Sequence, residues 1–472
     1  MAARSTLERE LKLDVPPGFA LPDLPGRPLA PRSFTSTYFD TDDRRLARAG
    51  MTLRRRVEER KGLWQLKLPR DEARLELEAP GGPTSPPAEL TRLLVAILRG
   101  RPLSPVAKMS TLRSGFRVME DGRPAAEIAI DSVAVLDGRR VTGRFSEVEV
   151  ELMETAPDKA LTPIAKTLRK AGAEPGAGLP KAFRVLGSPA VPRPNRNDGA
   201  DAHLHAALSA QLEAMLRHDP GVRLGGDAED VHQLRVATRR LRAILRAVQP
   251  FVPPDWATLL RDELRWLGFL LGAVRDLDVL IEQLTEDAQI LGRDEKHAFA
   301  RLLSDLEEER AAARAALLDA LASDRYLALL DALEAPAPAM SDASLTEVAG
   351  DEFAKLTKAV GRLSPDPSDE ELHAVRVKGK RARYAAELAE GVAGKAASRF
   401  VAAAKGFQDV IGRHQDAVVA TQRLRDLAGR GGVAAFAAGR LAERQEERRR
   451  KARAALPKAW ATLKASGKRA WS

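Results

Sequence analysis

The hydrophobic period of this chain changes once along its length, and that change constrains the fold more than any other feature. From Thr6 to about Leu152 apolar and polar residues alternate with period two. The clearest runs are Leu7-Glu8-Arg9-Glu10-Leu11-Lys12-Leu13, Trp64-Gln65-Leu66-Lys67-Leu68, Arg74-Leu75-Glu76-Leu77-Glu78, Glu127-Ile128-Ala129-Ile130-Asp131 and Glu147-Val148-Glu149-Val150-Glu151-Leu152. Successive residues of a strand point to opposite faces, so each run predicts a strand with one polar and one apolar side. Gly81-Gly82-Pro83, Asp121-Gly122 and Asp137-Gly138 separate the runs as turns. Helices are expected from Ala88 to Leu98 and from Asp158 to Lys170. A stretch rich in Pro and Asn follows, from Gly187 to Asp201. Beyond it the period is 3.6, and long segments rich in Ala, Leu and Arg run to the end. The expected organisation is an α+β domain over residues 1–187, a linker over 188–202 and an all-α domain over 203–472.

The helical half repeats itself. His232, Arg235, Arg239 and Arg242 recur with the same gaps as His373, Arg376, Lys380 and Arg383. Arg261, Gly268, Phe269, Arg275 and Asp278 recur as Arg399, Gly406, Phe407, Arg413 and Asp416. Agreement at this many positions predicts a duplicated helical bundle with pseudo-twofold symmetry.

Charge narrows the function. Lys and Arg number 76 against 66 Asp and Glu, a net charge of +10 that points to polyanionic partners. The sum does not choose among RNA, DNA, membranes and polyphosphate; the arrangement does. With no cysteine, disulfides, thiolate catalysis and Cys-ligated zinc are excluded. No run reaches the roughly 18 apolar residues of a membrane span. The first residues turn acidic before any apolar run, unlike a secretory signal, so the chain is read as cytoplasmic.

In the first half the charged positions of each strand share parity and therefore one face. Glu8, Glu10 and Lys12 form one row, and Glu147, Glu149 and Glu151 another. Arg54 with Arg56, Lys67, and Arg113 with Arg117 are basic, while Arg74, Glu76 and Glu78 mix signs. A solvated outer face is the plain reading of such rows. Against it, the signs are segregated by strand, and three Glu on one face repel one another unless a cation screens them. Hard divalent ions such as Mg²⁺ prefer carboxylate oxygens, and Arg offers a bidentate fork to phosphate.

This ordered set resembles the CYTH proteins, or triphosphate tunnel metalloenzymes. Their Glu-x-Glu-x-Lys signature matches Glu8, Glu10 and Lys12. Tyr38-Phe39-Asp40-Thr41 and Gly50-Met51-Thr52-Leu53-Arg54-Arg55-Arg56 resemble two further family runs. Lys67, Arg74, Glu76, Arg113, Asp131, the Glu147-Glu149-Glu151 strand, Lys181 and Arg184 also match in order. The resemblance implies an eight-stranded antiparallel tunnel barrel with flanking helices that acts on triphosphates with Mg²⁺ or Mn²⁺. It implies Glu8, Glu10 and Lys12 as catalytic residues. Glu8, Glu10, Asp131, Glu147, Glu149 and Glu151 would be the metal ligands. Lys12, Arg54, Arg56, Lys67, Arg74, Glu76, Arg113, Lys181 and Arg184 would form the triphosphate-binding set. One departure is Gly115, where family members often carry a basic residue.

In the second half, gaps of three, four and three residues keep His232, Arg235, Arg239, Arg242 and Arg246 on one helical stripe. His373, Arg376, Lys380 and Arg383 form a second, and Arg240, Lys378 and Arg381 broaden the basic surface. Exposed stripes normally alternate sign, because like charges four residues apart destabilise a helix. Arg261, Arg275, Arg399 and Arg413 extend the same surface, with Asp278 and Asp416 orienting some of them. Zinc is not expected, since no His-x-x-x-His pair occurs. Single-strand nucleic-acid binders interleave aromatics for base stacking, and these stripes lack them until Tyr384. Polyphosphate is therefore preferred to RNA.

The stripes resemble the CHAD domain, often fused behind a CYTH domain, through His232 to Arg242, Val274 to Val279, His373 to Tyr384 and Gly406 to Ala417. That resemblance implies a polyphosphate-binding module. The function expected for the whole chain is hydrolysis of inorganic triphosphate and short polyphosphate in the tunnel. The helical half would capture long chains, with association to polyphosphate granules. The alternatives are a non-catalytic polyphosphate binder or granule-targeting protein, and a nucleotide or thiamine triphosphatase or adenylyl cyclase.

Overall fold

The computed structural model describes residues 4–471 apart from 17, 71–72, 154–155, 177–178, 189–193, 341–343 and 430–431. The chain divides into two compact units, Met1–Val191 and Pro192–Ser472. Residues 189–193 of the expected linker lie outside the described residues, and the first helix of the second unit starts inside that stretch, at Ala200.

The first unit holds β1 (Arg4–Glu8), β2 (Glu10–Asp14), β3 (Gly26–Asp40), α1 (Arg45–Arg48), β4 (Thr52–Glu58), β5 (Lys61–Arg70) and β6 (Ala73–Pro80). It continues with α2 (Ala88–Thr91), α3 (Val95–Leu98), β7 (Ser104–Glu120), β8 (Arg123–Asp137), β9 (Arg140–Leu152), α4 (Leu161–Lys170), β10 (Glu174–Pro175) and α5 (Lys181–Leu186). The strands form one antiparallel sheet in the order β1-β6-β5-β4-β3-β7-β8-β9-β2-β10. Only Arg9 separates β1 from β2, so two distant places in that order are halves of one strand. This strand pairs with β6 through its first half and with β9 through its second, which closes the sheet on itself. The expectation of eight strands is corrected to ten among the described residues. The break at Arg9 splits one strand in two, and β10 adds a two-residue strand beside β2.

The alternation read in the sequence explains the layers. The charged rows turn inward, and the outer apolar face of β2, β8 and β9 packs against α4. Leu13, Ile128, Val148 and Val150 form one outer cluster with Ile164 and Leu168 of α4. On the inward face, Tyr38, Met109 and Val133 form a second cluster with Ala182 and Phe183 of α5. The β7–β8 turn carries Asp121 at φ 50° and Gly122 at φ 76°, the left-handed pair that a tight hairpin needs. Asp40 is structural: its carboxylate accepts the backbone N–H groups of Thr41, Leu46 and Ala47 at 2.8, 2.9 and 3.0 Å, holding α1 against β3.

The second unit is helical: α6 (Ala200–Leu224), α7 (Ala228–Val248), α8 (Pro254–Asp287), α9 (Arg293–Ala322), α10 (Asp324–Glu334), α11 (Leu345–Val360), α12 (Asp369–Ala393), α13 (Lys395–Ala428) and α14 (Gly432–Trp471). Asp227 caps α7, and a Ser368–Glu371 capping box opens α12. The two helices bearing the His/Arg stripes occupy matching places. α7 packs between α6 and α8, α12 packs between α11 and α13, and α7 and α12 touch. The repeats diverge in the packing of a matched pair of phenylalanines. Phe407 is buried against Gly379 and Trp460, whereas Phe269 is 77% exposed.

Candidate functional sites: a charged tunnel and a basic groove

Inside the closed sheet lies a cavity of about 610 Å³. Three rows of paired residues cross its wall from β7 through β8 and β9 to β2. The first is Arg113, Asp131, Glu147 and Asp14; the second is Gly115, Ala129, Glu149 and Lys12; the third is Arg117, Glu127, Glu151 and Glu10. On the opposite wall Glu8 pairs across to Arg74, Glu76 to Lys67, and Gln65 to Arg54. Register alone therefore gathers charges that lie far apart in the sequence.

The cations are held by carboxylates. Lys67 Nζ lies 2.5 Å from Glu8 and 2.8 Å from Glu76. Lys12 Nζ lies 2.8 Å from Glu149 and 3.4 Å from Glu10. Arg113 grips Asp131 with two hydrogen bonds, at 2.7 and 2.6 Å, and donates a third to Glu149 at 2.6 Å. Arg54 donates to Gln65 at 2.8 Å and to the Tyr38 hydroxyl at 3.3 Å. Arg56 pairs with Glu58 and stacks over Phe34 with its Cζ 3.9 Å from the ring centre.

Two groups of carboxylates suit a hard cation differently. Asp131, Glu147 and Glu149 each offer an oxygen within 4.8 Å of the others, close enough to share one ion. Lys181 of α5 already sits among them, with Nζ at 3.0, 2.5 and 2.8 Å. Glu8, Glu10 and Glu151 face the cavity with less compensation. Glu151 has no ion-pair partner among the described residues, although Glu10 stands directly across from it on β2. Burial, with the neighbouring Glu76 adding to it, raises the Glu8 carboxyl to about 7 despite Lys67. Burial and the nearby Glu10 raise Glu151 as well. Carboxylates whose burial opposes ionisation are donors that a divalent cation would complete.

Of the expected tunnel residues, Glu8, Glu10, Lys12, Arg54, Arg56, Lys67, Arg74, Glu76, Arg113, Glu149, Glu151 and Lys181 line this cavity. Asp131 and Glu147 are buried behind it, bridged by Lys181. Arg184 does not line the cavity: it pairs with Asp14, lies 3.7 Å from Glu147 and stacks over Phe145 at 4.6 Å. Gln65 went unnoticed in the sequence. It donates to Glu76 and Glu78 at 2.6 and 2.7 Å, and its shared parity with Lys67 was the available signal. The absence of a basic residue at Gly115 has a steric setting, since a Cβ there would stand 3.0 Å from Leu29 Cβ.

The second unit holds a groove with a different electrostatic character. A cavity of about 260 Å³ between α7, α8 and α12 is lined by Arg239, Arg242, Arg246, Arg261, Lys380 and Arg381 of the expected set. Arg265 and Tyr384 complete it, and Arg265 was recognisable as lying one helical turn beyond Arg261. Burial, reinforced by neighbouring guanidinium groups, lowers Arg242, Arg261 and Arg381 from their ordinary values. Lys380 is pushed down to about 7 by burial and then by Arg239, Arg376, Arg235 and Arg383. The Tyr384 ring is buried and its hydroxyl accepts from Arg239 at 2.7 Å, so it is not free to stack on a base.

The remaining expected groove residues lie around this core or outside it. Arg235 pairs with Asp276 at 2.8 Å, and Arg376 faces Asp416. His232 is half-buried beside Arg275, and His373 shares a hydrogen bond with Gln415 at 3.1 Å. Arg240 and Arg383 are engaged by Glu387, each at 3.2 Å. Arg413 lines a separate cavity of about 350 Å³ with Asp416 and Arg448. Arg399 is exposed and lines neither cavity. Asp278 faces Arg310 at 3.6 Å as well as Arg275.

A closed antiparallel sheet with a charged interior, followed by a basic helical bundle, defines the class of a tunnel domain joined to a basic helical domain. The CYTH domain model matches residues 6–181 and the CHAD domain model residues 206–425. Two curated uncharacterized proteins from Mycobacterium tuberculosis strains are each 32% identical over 464 residues, covering 89% of this chain and 88% of their own. The chain belongs to this family of CYTH–CHAD proteins. Among solved structures, PptA from Streptomyces chartreusis is 27% identical, covering 55% of this chain and 99% of its own, with a TM-score of 0.47. The CHAD domain from the plant Ricinus communis is 28% identical, covering 58% and 95%, with a TM-score of 0.49. CYTH domains are metal-dependent, and no helix among the described residues is long and apolar enough to cross a membrane.

Proposed function

We propose that the tunnel hydrolyses inorganic triphosphate and short polyphosphate with Mg²⁺ or Mn²⁺, while the helical groove binds long polyphosphate. The observation that carries this reading is the cavity inside the sheet, where incompletely compensated glutamates face rows of lysine and arginine. Glu8, Glu10 and Glu151 would hold the metal, which neutralises phosphate charge and lowers the pKa of bound water. Lys12, Lys67 and Arg113 would exchange their carboxylate partners, and Arg54 its Gln65 and Tyr38 partners, for phosphate oxygens and align the chain for attack. Arg56 and Arg74 would grip its ends. In the helical unit, repeated arginines on α7 and α12, related by the proposed pseudo-twofold, would track the polymer backbone.

The test is phosphate release from tripolyphosphate by the intact chain with Mg²⁺ or Mn²⁺, against ATP and thiamine triphosphate as competitors. Release that ATP does not suppress supports the inorganic substrate. No release with either metal leaves the second reading, a polyphosphate binder whose tunnel is a clamp, which the carboxylate-paired cations of the tunnel favour. RNA that displaced polyphosphate from the groove would overturn the choice of polymer.

A further inference from the structure

Lys181 occupies an unusual place for a residue expected to hold substrate. Its ammonium is only 6% exposed and lies within 3.0 Å of three carboxylates, those of Asp131, Glu147 and Glu149. These are the same three carboxylates whose mutual spacing would suit one shared metal ion. Their charge is already matched. Three carboxylates face Lys181, the Arg113 guanidinium at 2.6 Å from both Asp131 and Glu149, and the Lys12 ammonium at 2.8 Å from Glu149, with Arg184 farther off at 3.7 Å from Glu147. Asp131 and Glu147 are 0% and 3% exposed, so a divalent ion added to this set would leave an uncompensated double positive charge away from water. Lys181 is also fixed from behind, because Ala182 and Phe183 of the same helix are buried against Tyr38, Met109 and Val133.

We propose that Lys181 is a built-in substitute for a divalent cation. It fills the Asp131–Glu147–Glu149 trio, keeps metal out of it, and confines bound metal to the Glu8–Glu10–Glu151 face. The inference rests on the metal-binding tunnel proposed above, and it makes Lys181 a positioning residue that sets how many ions the tunnel holds. Removing its charge should convert the trio into a metal site. Replacing it with another cation should not.

The experiment counts Mn²⁺ bound to the intact chain by calorimetry and by the electron paramagnetic resonance of the free ion, without substrate. Lys181→Met should bind one Mn²⁺ more than the wild type, and Lys181→Arg the same number as the wild type. Glu147→Gln, made in the wild-type chain, should change neither number nor affinity, and this variant serves if Lys181→Met does not fold. Equal numbers in Lys181→Met and wild type, or loss of an ion in Glu147→Gln, would overturn the inference while leaving the Glu8–Glu10–Glu151 face intact. A wild type that binds no Mn²⁺ beside a Lys181→Met chain that binds one would sink that face and support the role of Lys181.

Discussion

The tunnel and the groove both collect arginine and lysine, yet they treat the charge in opposite ways. In the tunnel Lys12, Lys67, Arg113 and Lys181 each rest on carboxylates at 3.0 Å or less. In the groove, Arg242, Arg246, Arg261 and Lys380 have no ion-pair partner among the described residues, and burial, with neighbouring cations adding to it, lowers Arg242, Arg261 and Lys380. Paired cations cost little to keep in a closed cavity, and they release their partners only to a ligand that brings its own compensation. A metal-bound triphosphate does that. Unpaired cations tolerate crowding only at a surface where small ions screen them, and a long polyanion displaces those ions at a gain. On the proposed function, one half discriminates and the other attracts.

The largest effect should come from breaking the tunnel alone. Lys12→Ala or Glu8→Gln should lower phosphate release from tripolyphosphate by about 100-fold or more, the scale seen when one preorganised charge is removed. Polyphosphate binding measured on the same variants should stay as in the wild type. Next comes the converse variant, with Arg235, Arg239, Arg376 and Lys380 all reversed to Glu. By analogy with nucleic-acid binding, the salt dependence of polyphosphate affinity should flatten by about one in slope for each lost contact. Tripolyphosphate turnover should persist. A variant that lost both activities would show the two sites to be coupled and would end the contrast.

A smaller effect sharpens it through pH. Lys380 releases its proton near 7 in the folded chain, against an ordinary 10.5. Between those values the unfolded chain holds more protons, so this group's contribution to stability rises with pH across that window. A bound polyanion restores the ammonium, so binding takes up a proton. Affinity should therefore fall as pH rises above 7, by at most about tenfold per unit, and Lys380→Met should abolish the slope. His232 is lowered from 6.5, so it titrates below this range. Isothermal titration in buffers of different ionisation enthalpy would read the uptake directly. The smallest effect concerns the groove wall. A Cβ at Gly268 would meet Arg242 and Thr238 at 3.6 and 3.7 Å, ordinary contacts. Gly268→Ala should raise thermal stability by up to about 1 kcal/mol through helix propensity, with polyphosphate affinity unchanged.

Much of both sites was legible before any coordinates. Parity along each strand told which charges share a face, and the helical gaps told which arginines share a stripe, because both are properties of local backbone geometry. Gln65 obeys the same rule but carries no charge to mark it. Parity said nothing, however, about which carboxylate each cation would meet. Arg184 fits the family pattern in sequence yet turns to Asp14 and Phe145, while Arg240 and Arg383 sit among the basic stripes and end on Glu387. The exposure of Phe269 beside the burial of its repeat counterpart Phe407 is equally invisible in the residues themselves.

By itself, then, the order of residues determined two rhythms, hence a sheet whose charged sides line up and a helical repeat whose cations do. Only the tertiary structure decided that β1 and β2 close the ring across Arg9, and that Lys181 is seated among three acids. It also decided that α7 and α12 meet. These outcomes depend on long-range register and packing, where a shift of a single residue exchanges the faces of a strand, and local periodicity carries no information about the partner.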